Sequence, residues 1–97
     1  MKIYIAGPMS GIKDYNHPAF HAMAAKLRAE GHDVVSPAEL ITDENYTTWI
    51  AAMRVCIAAL MTCDRVEKIE GWSKSKGACI EVDLAYRLGV YVTGATE

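Results

Sequence analysis

The chain has 97 residues, 52% of them hydrophobic and 23% charged, with a formal net charge of −2 and a pI of about 5.9. This is the composition of one globular domain, and it excludes a disordered or low-complexity chain. A chain of this size buries roughly 60–65% of its extended surface, enough for a single core and no second domain. The slightly acidic balance leaves no basic stripe for a nucleic acid polymer. No apolar run reaches the roughly 18 residues that span a membrane. The start, MKIYIAGPMSG, breaks at Gly7-Pro8 and reads as a strand, not a signal peptide. Cys56, Cys63 and Cys79 are odd in number and form no C-x-x-C pair. That argues against a disulfide scaffold or zinc ribbon and for a reducing cytoplasm.

In chain order, Lys2 to Ala6 is a short, near-continuous apolar run of the kind found in strands covered on both faces. A glycine- and proline-containing loop, Gly7 to Asn16, follows. Helical spacing of Phe20, Met23, Ala24 and Leu27 predicts a helix from about Pro18 to Glu30, with Gly31 as its cap. His32 to Ser36 is a second strand, ended by Pro37, and the polar stretch Ala38 to Tyr46 is a loop. A second helix is expected from about Thr47 to Thr62, with Ile50, Met53, Ile57, Leu60 and Met61 as its stripe. Asp64 to Ile69 is a third strand, and Glu70 to Lys76 a polar loop. A third helix runs from about Lys76 to Leu88, with Ala78, Val82 and Ala85 on one row and Ile80, Leu84 and Leu88 on the next. Val90 to Thr93 closes the series as a strand. Alternating strands and amphipathic helices predict an α/β domain over residues 1–97, a four-stranded parallel sheet wrapped by about three helices. Ligands of such sheets bind at the carboxyl ends of the strands. The loops Gly7 to Asn16 and Glu70 to Lys76 are therefore the favoured positions for a site.

Two constellations lie on those loops. The first is Y-I-A-G-P-M-S-G, Tyr4 to Gly11, whose glycines let a ligand approach the backbone. It is neither a dinucleotide fingerprint nor a P-loop. The second is G-W-S-K-S-K-G-A-C-I-E, Gly71 to Glu81. Ser75 and Gly77 stand at a helix start, where unpaired N–H groups attract anions. Glu81 follows about one turn further in, and its side chain leans back toward that start. There a carboxylate has the position of a nucleophile or base. Asp83, with Arg87 four residues on, reads as a solvated helix pair. His17 and His21 have metal-compatible spacing but no third ligand, so no metal or cofactor is expected. Trp49 and Trp72 are candidates to stack on a base, and Trp72 lies in the site loop. Core packing or a dimer contact is the alternative for either.

Together, strand-A-G-P-M-x-G and G-W-x-x-S-x-G-A-x-x-E, followed by Leu84, Ala85 and Leu88-Gly89, resemble the nucleoside 2-deoxyribosyltransferase-like superfamily. The resemblance runs from Lys2 to Val92 and is closest to short, often phage-encoded members of uncharacterised function. It implies a small flavodoxin-like three-layer sandwich and a small-molecule partner, a nucleoside or nucleotide. It also implies that Glu81 is the nucleophile that attacks the sugar's anomeric carbon. Tyr4, Gly7, Pro8, Met9, Gly11, Cys56, Trp72, Ser75 and Gly77 would then form the substrate-binding set. Ser75 falls where the transferases carry an aspartate and the 2′-deoxynucleoside 5′-phosphate N-hydrolases carry a phosphate-binding serine. The physics agrees, since an aspartate there repels a phosphate and a hydroxyl at a helix start binds one.

The sequence departs from the family's pattern at the second catalytic carboxylate. The helical pattern D-[LI]-x-x-[LI] reads here Cys56-Ile57-Ala58-Ala59-Leu60, with a thiol in place of the acid. A thiol of ordinary pKa, about 8.5, is a poor substitute for a carboxylate. Asp64 is set aside as a replacement because it begins a strand at the opposite sheet edge. The chain also ends just after the last strand, without the C-terminal residues that complete a neighbour's site in larger members. Three readings follow: an N-glycosidic-bond hydrolase or transferase acting on a (deoxy)nucleoside 5′-monophosphate, a non-catalytic nucleotide-binding module, or a structural protein on a borrowed fold. Half-covered apolar helices predict a homodimer or higher homo-oligomer.

Overall fold

The structure, a computed structural model, describes residues Met1–Glu97. Its elements are β1 (Lys2–Ala6), α1 (His17–Ala29), β2 (Asp33–Val35), α2 (Pro37–Leu40), α3 (Trp49–Leu60), β3 (Arg65–Lys68), α4 (Lys76–Arg87) and β4 (Tyr91–Gly94). The strands form one parallel sheet in the order β2-β1-β3-β4.

β1 explains its own sequence. It is flanked by β2 and β3, with Tyr4 opposite Val35 on one side and Val66 on the other. Alternate side chains enter two separate cores. Ile3 and Ile5 pack with Phe20, Ala24 and Leu27 of α1. Tyr4 and Ala6 pack with Cys56 and Leu60 of α3 and with Ala78, Val82 and Ala85 of α4. From Ile3 to Ala6 the run is apolar because neither face meets water there.

The helices follow from the strand order. The connection from β1 goes to β2 on one side, and those from β2 and β3 go the other way. Right-handed crossovers therefore put α1 on one face and α3 and α4 on the opposite face. The direction reverses between β1 and β3, so the loops that leave these two strands diverge and a cleft opens at their carboxyl ends.

Two expectations change. The stretch Ala38 to Tyr46 is not all loop, because Pro37–Leu40 forms one helical turn with Pro37 at its start and Pro37 and Ala38 buried. A single turn is too short to carry a periodic signal. The buried stripe of α3 also differs. Ile50 and Met61 are 60% and 41% exposed, whereas Cys56 and Leu60 are buried. α3 is apolar nearly all round, so composition did not say which side would meet the sheet. On α4 the row Ala78, Val82, Ala85 is buried as expected, Glu81 joins it, and Ile80 and Leu88 face outward.

Candidate functional site

The parallel strands direct the N-termini of α1, α3 and α4 to one edge of the sheet, where a cleft of about 1070 Å³ opens. Its walls come from the loop after β1, from the segment between α2 and α3, and from the first turns of α3 and α4. Gly7, Pro8, Met9, Cys56, Ser75, Gly77 and Glu81, all singled out in the sequence, line it.

Glycines shape this cleft by letting neighbours close in. A Cβ on Gly7 would stand 2.2 Å from Ile69 Cγ1, so β1 can turn here only with a hydrogen as side chain. A Cβ on Gly77 would stand 3.1 Å from Met53 Sδ, so α3 and α4 approach closely at their starts. Each of those helices has a capped N-terminus. Thr48 Oγ1 accepts from Ala51 N at 3.0 Å, and Ser75 Oγ accepts from Ala78 N at 3.2 Å. The cap places the Ser75 side chain at the cleft wall beside Lys74 and Lys76.

Glu81 forms the floor. It is 5% exposed, and its Oε2 accepts a hydrogen bond from the Tyr4 hydroxyl at 2.5 Å. Burial raises the Glu81 carboxyl to about 7, against the smaller opposing effect of the Tyr4 hydrogen bond. Tyr4, fully enclosed, titrates well above its ordinary value, first through burial and then through the neighbouring Glu81 charge. Cys56 is raised to about 11, chiefly by burial, with the Tyr4 hydroxyl opposing and Glu81 adding. At neutral pH the floor therefore holds a protonated phenol, a protonated thiol and one carboxyl poised between its two states. A carboxyl with that poise serves as a nucleophile or base in the neutral range.

Three of the expected residues do not line the cleft. Tyr4 lies beneath it and acts through Glu81. Gly11 sits on the outer turn at φ +79 with open space around it. Trp72 faces away. Its indole Nε1 donates to the carbonyl of Ala95 at 2.9 Å, and Lys68 Nζ covers its ring at 4.8 Å. That ring is occupied by the chain itself and is not free to stack on a base. Asp64, at the far edge of the sheet, accepts from Lys2 N at 2.9 Å, consistent with setting it aside. Cys79 is only partly buried.

Sequence reasoning missed part of the wall. Tyr15, Asp43, Tyr46, Met53, Lys74 and Lys76 line the cleft. The lysines flank Ser75, so their position was legible. Met53 was read as part of the apolar stripe of its helix and not as cleft wall, and Tyr15, Asp43 and Tyr46 come from segments whose course has no periodic pattern. Trp49 also lines the cleft, with Lys76 Nζ 4.5 Å over its ring.

No functionally curated protein matches the chain in sequence. Among solved structures, the fold is similar to a 2-deoxyribosyltransferase from Leishmania mexicana, with a TM-score of 0.73 and 23% identity over 96% of this chain. It is also similar to a 2-deoxyribosyltransferase from Bacillus psychrosaccharolyticus (TM-score 0.71, 22% identity, 97% of this chain). A conserved protein from Enterococcus faecalis V583 matches with a TM-score of 0.70 and 22% identity over 97% of this chain. The chain spans 62%, 71% and 62% of these three, in that order. The likeness establishes a nucleoside 2-deoxyribosyltransferase-like α/β fold. A family model described as a domain of unknown function, DUF4406, matches residues 1–94, and the chain belongs to that family.

Proposed function

We propose that this chain breaks the N-glycosidic bond of a (deoxy)nucleoside 5′-monophosphate, with Glu81 as the nucleophile. The observation that carries the reading is one carboxyl, buried in the cleft floor, oriented by the Tyr4 hydroxyl and held near pH 7. The fold shared with two deoxyribosyltransferases supports it.

In this reading the Glu81 carboxylate attacks the anomeric carbon, the C–N bond breaks, and its electron pair leaves with the base. The base takes a proton from water in the open cleft. Cys56 is a weak donor for that step, since it holds its proton to about 11. Water, or a second base, then attacks the glycosyl-enzyme and frees Glu81. Ser75, flanked by Lys74 and Lys76 at the start of α4, holds the phosphate.

The test is base release from each deoxynucleoside monophosphate, read by chromatography. Glu81→Ala abolishes it. If the wild-type protein releases no base from any of them, catalysis is refuted. Cys56 favours the second reading, a module that binds nucleotides without turnover, because it removes the partner acid. Calorimetry showing tight binding with no base release would select that reading.

The proposal extends to self-association. α3 has Arg54 as its only charged residue and leaves Ile50 and Val55 exposed. Sedimentation should show a dimer or larger species, and a monomer at high concentration removes this part. No helix is long and apolar enough to cross a membrane, and all three cysteines are free thiols. We place the protein in a reducing cytoplasm on its odd, unpaired cysteines.

A further inference from the structure

Four aromatic side chains line the cleft: Tyr15, His17, Tyr46 and Trp49. Two already have partners. Lys76 Nζ occupies one face of Trp49 at 4.5 Å, and His17 meets His21 in an edge contact at 5.7 Å. Tyr15 has only the tilted His17 ring, 6.3 Å away, and Tyr46 stacks on no ring. They are 61% and 50% exposed. A large ring left bare at the wall of a cleft is a surface prepared for a flat apolar partner.

The backbone under Tyr15 carries a second, independent feature. Asp14, Tyr15 and Asn16 have φ of 55°, 51° and 61°, three consecutive non-glycine residues in the left-handed region. Each is sterically disfavoured relative to a right-handed path, because its Cβ crowds the following carbonyl oxygen. Little offsets this. The turn buries no side chain. It is held by Asn16 Nδ2 donating to Pro8 O and by Tyr15 N donating to Ile12 O, both at 2.9 Å. Strain of this kind persists where a site needs the geometry it produces. Here that geometry sets the Tyr15 ring in the cleft wall.

We propose that Tyr15, presented on the left-handed Asp14–Asn16 turn, is the base-stacking residue of the cleft, with Tyr46 as the second ring surface. The inference rests on the nucleotide reading above and names the group that contacts the base. Stacking is a face contact, so it accepts any planar heteroaromatic ring and needs the phenyl ring of Tyr15, not its hydroxyl. It also repays the strain of the turn only when a base is present, so the turn should stiffen on binding.

The experiment is calorimetric titration in the Glu81→Gln background, which blocks turnover, with the four deoxynucleoside monophosphates and with 2-deoxyribose 5-phosphate. Tyr15→Ala is expected to weaken each nucleotide by about tenfold or more, the scale of one base–aromatic stack. Tyr15→Phe should bind nucleotides like its parent, and all forms should bind 2-deoxyribose 5-phosphate alike. Tyr15 is exposed, so neither change threatens folding. Unchanged nucleotide affinity in Tyr15→Ala overturns the proposal. So does an equal loss for 2-deoxyribose 5-phosphate, which would place Tyr15 on the sugar phosphate. If the parent binds no nucleotide, the nucleotide reading falls and takes this inference with it. That failure is distinct from binding that ignores Tyr15. Amide hydrogen exchange at residues 13–17 should slow when nucleotide is added to the parent and not to Tyr15→Ala. Exchange that nucleotide leaves unchanged in the parent counts against the stacking role.

Discussion

Replacing Glu81 by Gln should flatten the pH dependence of stability. In the folded protein Glu81 holds its proton to about 7, against an ordinary value of 4.5. Its folded pKa is raised, so the folded state binds the proton more tightly than the unfolded chain does. The sign follows from linkage: a buried Glu81 lowers stability progressively as pH rises from 4.5 to 7, and the cost is constant above that range. Between pH 5 and pH 8.5 these two values give a loss of about 2.5 kcal/mol from this one group. Glu81→Gln has no such proton to lose. Urea denaturation of both proteins across that range should show the stability difference shifting toward the variant by about that amount, which thermal melting would read as roughly 10–20 °C in midpoint temperature for a chain of this size. Other titrating groups are common to both and cancel, as does any fixed cost of seating an amide against Tyr4. Parallel profiles would refute the argument, because they would mean that Glu81 is ionised throughout and that burial does not govern it.

Base release should rise with pH through about 7, as Glu81 becomes the carboxylate that attacks, and then level off. A rate that falls across this range would assign Glu81 the role of acid. Gly7→Ala should cost about 1–3 kcal/mol by overpacking, since its Cβ would stand 2.2 Å from Ile69 Cγ1; thermal melting checks this, and an unchanged midpoint contradicts the close approach. Ser75→Asp should keep the α4 cap and the melting temperature while weakening nucleoside monophosphates relative to nucleosides, as titration would show. If both ligands weaken alike, Ser75 does not face the phosphate. Cys56→Asp should restore a second acid and raise base release, at a cost in urea stability because a carboxylate is then buried beside Glu81. No gain in rate would show that the thiol is not what limits turnover.

Period and punctuation in the sequence were enough to place every strand and every long helix to within about two residues. The reason is that β1 must be apolar on both faces and that Gly7, Pro18, Gly31, Pro37 and Gly89 mark the ends of elements by their own backbone limits. Glu81 and Ser75 were legible too, because a serine cap and a carboxylate six residues on share one helix end, whatever packs around them. The tertiary structure alone decided the rest. It turned α3 so that Cys56 faced the cleft and Ile50 faced outward, a choice that a helix apolar on all sides does not make for itself. Only packing removed Trp72 from the site, by giving its indole the Ala95 carbonyl and its ring the Lys68 ammonium. The left-handed turn that brings Tyr15 to the cleft leaves no periodic trace, since it depends on contacts from Asn16 to Pro8. The poise of Glu81 is likewise a tertiary property. The residue type supplies a proton site, and burial against Tyr4 sets the pH at which it is given up.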